Sequence, residues 1–258
     1  MKIVYNKIIE NKSKGQKQIA VLVDPDNLNN ESLEVVASAA NSAEIDFIFI
    51  GGSLLSTDNL SQCISVIKEI TDIPTVIFPG SPLQIDGSAD AILFLSLISG
   101  RNPEFLIGNH VIAAPYLRNT NLEILPTGYL LIDSGAPTTV SYMSNSTPIP
   151  YNKSNIAVCT ALAGEMLGMK LIYLDGGSGA SKVISDKMIS EVKQQISLPL
   201  IVGGGINSVE KAVSCSTAGA DLIVIGNATE KNPYFINEVS EAIKIVANSE
   251  ISSNIQSQ

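Results

Sequence analysis

The chain has 258 residues, of which 45% are hydrophobic and 16% are charged, and its formal net charge is −9. This composition predicts a folded protein with a large core, and it excludes a nucleic-acid surface because phosphate backbones are bound by clustered lysine and arginine side chains. The single histidine and the three widely spaced cysteines argue against Ser-His catalysis, a multi-histidine metal centre, a zinc site and a disulfide framework.

The ends of the chain and its apolar runs predict a cytoplasmic protein. Residues 1–17 lack the apolar core of a signal peptide, and the longest apolar run, 91–98, is too short to cross a bilayer. Three cysteines without disulfide spacing suit a reducing compartment. Residues 249–258 form a polar tail that we expect to fray.

Short apolar runs rich in β-branched residues recur along the chain, and nearly every one ends in Asp, Gly or Ser. We predict strands at 19–24, 46–51, 75–79, 91–97, 128–133, 169–175, 198–203 and 221–226. Helical periodicity lies between several of them, at 31–41, 58–71, 154–167, 181–196, 208–218 and 233–247. Strands that alternate with helices pair in parallel, and eight such units close a (β/α)8 TIM-type barrel. We therefore predict one barrel domain over 1–258, with an open doubly wound sheet as the alternative.

The first two predicted strands end in side chains suited to a hard cation. Asp24 closes the first strand, and Ser53 follows the Gly51-Gly52 pair that closes the second. A carboxylate and a hydroxyl on neighbouring strand ends can share Mg²⁺, whose other positions are filled by waters and substrate oxygens. The alternative is structural, with Asp24 or Asp26 capping the next helix and Ser53 its own turn.

The connection between the third and fourth predicted strands is too short for a regular barrel helix. Only residues 80–90 separate the two strands, and they include Pro82 and Gly87. A crossover helix with its turns usually needs more than about ten residues. We predict that this unit lacks its helix and that the barrel wall is open there to a ligand or a partner.

Glycine-rich loops follow the last three predicted strands. They contain Gly176, Gly177, Ser178 and Gly179 after the sixth strand, Gly203, Gly204 and Gly205 after the seventh, and Gly226 and Asn227 after the eighth. Glycines let backbone N–H groups approach an oxyanion closely, so these loops can bind one phosphate without lysine or arginine. The alternative is that the glycines only form tight strand-to-helix turns.

Two side chains of the sixth predicted strand lie on one face of the strand, beside the predicted phosphate loops. Asp175 ends this strand and can orient or deprotonate a substrate hydroxyl. Tyr173 lies two residues earlier, on the same face, and can add a hydrogen bond. A loop-capping aspartate and a half-buried tyrosine are the structural alternatives.

Six segments together resemble the geranylgeranylglyceryl phosphate synthase and heptaprenylglyceryl phosphate synthase family. They are LVDPDN (22–27), FIGGS (49–53), FPGS (78–81), YLDGGSGA (173–180), VGGGI (202–206) and VIGN (224–227). The last two also occur in other phosphate-binding barrels, whereas YLDGGSG together with DPD and GGS is specific. The segments occur in order over nearly the whole chain.

The resemblance implies transfer of a prenyl group from a prenyl diphosphate to the C3 hydroxyl of sn-glycerol 1-phosphate. It implies Mg²⁺ at Asp24 and Ser53, with Asp175 and Tyr173 as catalytic residues. It places glycerol phosphate on Tyr173, Leu174, Asp175, Gly176, Gly177, Ser178, Gly179, Gly203, Gly204, Gly226 and Asn227. The GSG ending of the block resembles the geranylgeranyl branch, and the family lacks a regular third barrel helix.

The resemblance further implies a homo-oligomer with at most peripheral membrane contact. One departure concerns Asp175, where many members carry Glu, so the carboxylate lies about 1.5 Å further back.

Two rival functions remain open at this point. A phosphosugar isomerase or cyclase barrel would use acids at the ends of its first and fifth strands, here Asp24 and Asp133. Such acid-base chemistry needs no divalent cation, whereas release of diphosphate does. A non-catalytic barrel that binds a phosphoryl ligand is the second rival.

Overall fold

The computed structural model describes residues 3–27, 29–52 and 59–256, with side chains as far as Val246. Eight parallel strands form a closed barrel in chain order. They are β1 (Gln18–Val23), β2 (Phe47–Gly52), β3 (Thr75–Pro79), β4 (Ala91–Leu97), β5 (Glu123–Leu131), β6 (Leu171–Asp175), β7 (Leu200–Gly203) and β8 (Leu222–Ile225). The predicted barrel is confirmed, and the doubly wound alternative is wrong because β1 also pairs with β8.

Helices surround the barrel and are present between most strands. They are α1 (Ile3–Ser13), α2 (Asn30–Ser42), α3 (Leu60–Ile70), α4 (Asn109–Leu117), α5 (Thr139–Met143), α6 (Ser154–Met166), α7 (Asp186–Gln195), α8 (Val209–Ala218), α9 (Asn227–Lys231) and α10 (Tyr234–Gln256), with a π-helical turn at Glu104–Gly108 before α4. Side-chain caps mark the starts of several of them, as at Ser185 and Ser208. No helix within the described ranges is long and apolar enough to cross a membrane.

The absence of a helix after the third strand is confirmed. Residues 80–90 hold only turns and loop, and β3 pairs with β4 at just two positions, Val76↔Ala91 and Ile77↔Ile92. Beyond Ile77, Phe78 and Pro79 pair with β2 alone. The two strands therefore separate toward their carboxyl ends, where no helix covers the barrel wall.

The core has two layers because side chains alternate along each strand. The outer layer lies between strands and helices and includes Ile48, Ile172 and Leu174. The inner layer fills the barrel and includes Phe49 and Tyr173.

α1, which was not predicted from the sequence, adds Val4 and Ile8 to the inner layer. The Glu123 carboxylate at the start of β5 accepts hydrogen bonds from the N–H groups of Val4 (2.8 Å) and Tyr5 (3.1 Å). This contact fixes α1 against the amino-terminal end of the barrel, because the first amides of a helix have no partner within it.

The predicted boundaries of β5 and α10 differ from the structure. β5 begins at Glu123 rather than 128 and includes Pro126. The residues of β5 before Thr127 pair only with β4. The missing N–H of Pro126 therefore leaves the hydrogen bonds between β4 and β5 intact. α10 continues to Gln256, nine residues beyond its predicted end, through most of the stretch expected to fray.

Candidate active site

A cavity of about 650 Å³ opens at the carboxyl ends of the strands, which is where barrel enzymes place their active sites. Nine of the predicted site residues line it, namely Asp24, Tyr173, Asp175, Gly177, Ser178, Gly179, Gly204, Gly226 and Asn227. Barrel closure brings β1 next to β8, and this pairing joins the predicted cation site to the predicted phosphate loops. Both predicted subsites therefore share one cavity.

The carboxylate of Asp175 is buried at the base of this cavity, with 5% of the residue exposed. Its Oδ1 accepts a hydrogen bond from the Gly177 N–H at 2.8 Å, and its Oδ2 accepts one from the Tyr129 hydroxyl. Burial raises the pKa of Asp175, and these two hydrogen bonds partly oppose the rise. No cation pairs with Asp175 in the described part of the chain. The result is a fixed carboxylate that binds a proton more readily than an exposed one.

Three aromatic rings pack beside Asp175. Tyr173 stacks on Phe78 with 5.6 Å between ring centroids and meets Tyr129 edge to face at 5.5 Å. Burial, followed by the nearby Asp175 charge, raises the pKa of both tyrosines well above the ordinary value, so each phenol keeps its proton. Tyr173 lines the cavity and can donate a hydrogen bond to a ligand, as predicted. Tyr129 was missed, although strand alternation placed it on one face with residue 131.

The glycine-rich loops adopt conformations that require glycine. Gly177, Gly179, Gly204 and Gly205 all have φ between 72° and 81°. A Cβ at Gly204 would come within 2.7 Å of Asp175 Oδ1 and 2.8 Å of the Gly176 and Gly177 amide nitrogens. A side chain at this position would therefore displace the buried carboxylate as well as strain the backbone.

The amides of these loops divide into two groups. Those of Gly176 and Gly177 are turned inward, bonding Gly203 O at 3.1 Å and Asp175 Oδ1 at 2.8 Å. Those of Ser178, Gly179, Gly204 and Gly205 have no protein acceptor among the described residues. All four of these residues line the cavity, so the second group is available to a phosphate oxygen.

Three predicted site residues do not line the cavity. The side chain of Leu174 is fully buried in the outer core layer, because strand alternation points it away from Tyr173 and Asp175. Gly176 and Gly203 instead join the β6 and β7 loops through their backbone hydrogen bond. Ser53 lies outside the described residues.

Asp24 lies half-buried on the β1 side of the cavity. Its Oδ1 accepts from the Asp26 N–H at 3.0 Å, and its Oδ2 accepts from the Asn27 side-chain amide at 3.3 Å. Burial raises the pKa of the Asp24 carboxyl above its ordinary value. A Cβ at Gly52 would lie 3.1 Å from Oδ2, so the glycine leaves space beside this oxygen.

The environment of Asp24 fits the predicted Mg²⁺ in donor chemistry. In residues 3–27, 29–52 and 59–246 no group of three or more His, Cys, Asp or Glu side chains is arranged to hold a metal ion, and Asp24 makes no ion pair. Mg²⁺ commonly takes one or two protein carboxylates and completes its shell with water and substrate phosphates. One unpaired carboxylate beside an open cavity is that arrangement.

A second, apolar cavity of about 110 Å³ adjoins the first. It opens where β3 and β4 separate, and Phe78 and Gly52 line both cavities. Its walls include Pro79, Ile92, Leu93, Phe94, Leu95, Leu97, Phe105, Ala113 and Leu117. The missing third helix thus exposes an apolar channel next to the polar cavity.

His110, to which the sequence assigned no chemistry, is buried in the wall of the apolar cavity. Its Nε2 lies 3.1 Å from Ser96 Oγ, and its ring packs edge-on against Phe94. Burial lowers the pKa of His110, so the ring is neutral near pH 7.

The acid required by the isomerase rival is not in the cavity. Asp133 is exposed, and its Oδ1 accepts a hydrogen bond from the Gly135 N–H at 2.9 Å, which makes it a turn residue. β5 ends two residues earlier, at Leu131. The structure therefore does not bring Asp133 together with Asp24.

Comparisons with known proteins identify the proteins that this chain resembles. The chain is 54% identical over 244 residues to geranylgeranylglyceryl phosphate synthase of Chitinophaga pinensis, covering 95% of this chain and 97% of that protein. It is 37% identical over 233 residues to the Methanosphaera stadtmanae protein of the same name, covering 90% and 95%.

Solved structures give the same result. The fold matches (S)-3-O-geranylgeranylglyceryl phosphate synthase of Thermoplasma acidophilum in complex with its substrate sn-glycerol-1-phosphate, with a TM-score of 0.89, 34% identity and coverage of 95% of this chain and 99% of that one. A profile described as the PcrB family matches residues 7–247. The resemblance found in the six sequence segments is thereby confirmed, and the chain belongs to the PcrB family.

Proposed function

We propose that the protein transfers a prenyl group from a prenyl diphosphate to the C3 hydroxyl of sn-glycerol 1-phosphate, forming an ether and releasing diphosphate. The observation that carries this function is the position of Asp175. Its buried carboxylate lies in an amide-lined polar cavity that shares Phe78 and Gly52 with an apolar channel. A polar acceptor and an apolar donor can therefore meet beside one base, and the named relatives support this reaction.

Each residue then has a defined task. The unpaired amides of Ser178, Gly179, Gly204 and Gly205 bind the phosphate of glycerol 1-phosphate. Asp175 accepts the proton of the C3 hydroxyl while the hydroxyl oxygen forms a bond to the allylic carbon of the donor. The bond from that carbon to the diphosphate breaks in the same step. This assignment agrees with the raised pKa of the Asp175 carboxyl, since a stronger base takes the proton more readily.

Magnesium binding at Asp24, with Ser53 as the second protein ligand, is part of the proposal. The cation would offset the negative charge of the departing diphosphate. The cavity lining supports this part of the proposal, because the described residues that line it supply one cationic side chain, Lys231. The net charge of −9 makes the overall field unfavourable for two anionic substrates.

Geranylgeranyl diphosphate is the proposed donor, and its tail would occupy the apolar channel beside α4. The direct test is incubation with radiolabelled glycerol 1-phosphate, Mg²⁺ and donors of increasing chain length. We expect label to enter the organic phase with Mg²⁺ and to stay in the aqueous phase with EDTA. Phosphosugar isomerisation at full rate in EDTA would instead establish the isomerase rival, and binding without any product would establish the non-catalytic one.

We further propose a cytoplasmic homo-oligomer. α4 and the turn before it expose a run of apolar side chains, with Ile107 60%, Val111 65%, Ile112 51% and Tyr116 65% accessible. Exposed patches of this kind mark interaction surfaces. Val111→Lys should reduce the mass measured by light scattering, whereas Val35→Lys on α2, at a site 52% exposed, should not. An unchanged mass in both variants would contradict this interface.

A further inference from the structure

Glu230 connects two loops of the site without lining the cavity. It is half-buried on α9, and its Oε1 accepts a hydrogen bond from the backbone N–H of Asp24 at 3.4 Å. Its Oε2 accepts one from the side-chain amide of Asn27 at 3.4 Å, and the same amide donates to Asp24 Oδ2 at 3.3 Å. The Asn27 amide thus joins the two carboxylates and holds together groups whose charges repel each other.

α9 is in turn continuous with the phosphate loop after β8. The Thr229 N–H and hydroxyl both donate to Gly226 O, at 2.7 and 2.8 Å. Asn227, at the start of the helix, donates from its side chain to Ser178 Oγ at 3.3 Å. α9 has only five residues, so Glu230 lies about one helical turn from Gly226 and Asn227.

We propose that Glu230 is a positioning residue that couples binding at the phosphate loops to the orientation of the Asp24 carboxylate. This inference rests on the proposed function, because it takes Asp24 as the protein carboxylate for the divalent cation. Phosphate binding would stabilise the β8 loop and α9, α9 would keep Glu230 against the Asp24 backbone, and the Asp24 carboxylate would then be held in its position at the cavity. Glycerol phosphate would therefore increase the affinity for the cation, and the cation would increase the affinity for glycerol phosphate by the same factor.

The test measures binding rather than turnover, and it uses the full chain with Mn²⁺ as a paramagnetic substitute for Mg²⁺. Free Mn²⁺ is followed by electron paramagnetic resonance with and without saturating glycerol 1-phosphate, and the ratio of the two dissociation constants is the coupling factor. Glu230→Ala should lower this factor about five-fold or more relative to wild type. Loss of the Glu230 charge should weaken Mn²⁺ binding equally with and without glycerol 1-phosphate. This effect of the charge therefore cancels in the ratio of the two dissociation constants.

Two further variants separate positioning from charge and from fold damage. Glu230→Gln keeps one oxygen that can accept from the Asp24 amide but loses the acceptor for the Asn27 side chain, so we expect a coupling factor between those of wild type and Glu230→Ala. Glu238→Ala removes an exposed carboxylate from α10 and should leave the factor unchanged. Calorimetry in EDTA should show glycerol 1-phosphate binding within about two-fold of wild type for all three variants, which also confirms that they are folded.

The outcomes distinguish the inference from the proposed function. A coupling factor in Glu230→Ala within two-fold of wild type would overturn the role of Glu230 alone. Mn²⁺ binding that Asp24→Asn does not weaken would remove the cation from Asp24 and overturn both. A wild-type protein in which the two ligands bind independently would overturn the coupling.

Discussion

Replacing Tyr129 with phenylalanine tests whether the buried carboxylate of Asp175 is the base. The variant removes one hydroxyl that donates to Asp175 Oδ2 and leaves the ring packing against Tyr173 and Phe78 in place. A hydrogen bond to a charged group contributes about 1.5–3 kcal/mol, and one pKa unit corresponds to about 1.36 kcal/mol. Because this bond stabilises the ionised carboxylate, its loss raises the pKa of Asp175 further.

The measurement is the pH dependence of kcat/KM for glycerol 1-phosphate. The base acts when ionised, so the acidic limb of the profile should move to higher pH by roughly one to two pH units. Well above that limb the rate should approach that of wild type. Tyr234→Phe, which removes an exposed phenol on α10, is the matched control and should leave the profile unchanged. An acidic limb at the same pH in Tyr129→Phe would refute the assignment of Asp175 as the base.

The raised pKa of Asp175 also predicts how the free energy of unfolding depends on pH. The pKa of Asp175 in the folded protein is raised above its ordinary value of 3.8. Its contribution to the free energy of unfolding is therefore fully present below that value and is lost as the pH rises through the raised pKa. In Tyr129→Phe this contribution to the free energy of unfolding should persist to higher pH before it is lost. Urea unfolding of the wild type and the variant across the pH range measures it, and an identical pH dependence in the two proteins would contradict the prediction.

Two other substitutions have matched controls. Asp175→Asn should lower the single-turnover rate of prenyl transfer by about 10²–10⁴-fold while leaving Mn²⁺ binding intact. Asp133→Asn, in an exposed turn, is the control and should be near wild type, and a near wild-type rate in Asp175→Asn would remove Asp175 from the mechanism. Gly204→Ala strains the backbone at φ +80° and places the new Cβ 2.7 Å from Asp175 Oδ1. We therefore expect this variant to raise KM for glycerol 1-phosphate about ten-fold or more. Gly168→Ala is the control, because its φ is +88° but a Cβ there would have no atom within 4 Å. It should lower the free energy of unfolding by about 1–3 kcal/mol without changing KM. Equal KM values for the two variants would show that the contact with Asp175 is unimportant.

Much of the architecture followed from local sequence patterns. Alternation of short β-branched runs with helical segments predicted eight parallel strands, and the short connection at residues 80–90, with Pro82 and Gly87, predicted the missing helix. Strand alternation also placed Tyr173 and Asp175 on one face, and the structure confirms that both line the cavity. These features depend on residues close together in the chain, where spacing limits the possible conformations.

The limits of the sequence appear where distant elements meet. Tyr129 reaches Asp175 because β5 pairs with β6 in a register that sets Tyr129 opposite Tyr173 and Leu131 opposite Asp175, and a strand pattern does not specify register with its neighbour. Glu230 reaches Asp24, which lies 206 residues earlier in the chain, because barrel closure sets β8 beside β1. The sequence determined which loops carry the polar groups, and only closure of the barrel decided which of them touch, because contacts between strands depend on register and circumference rather than on local spacing.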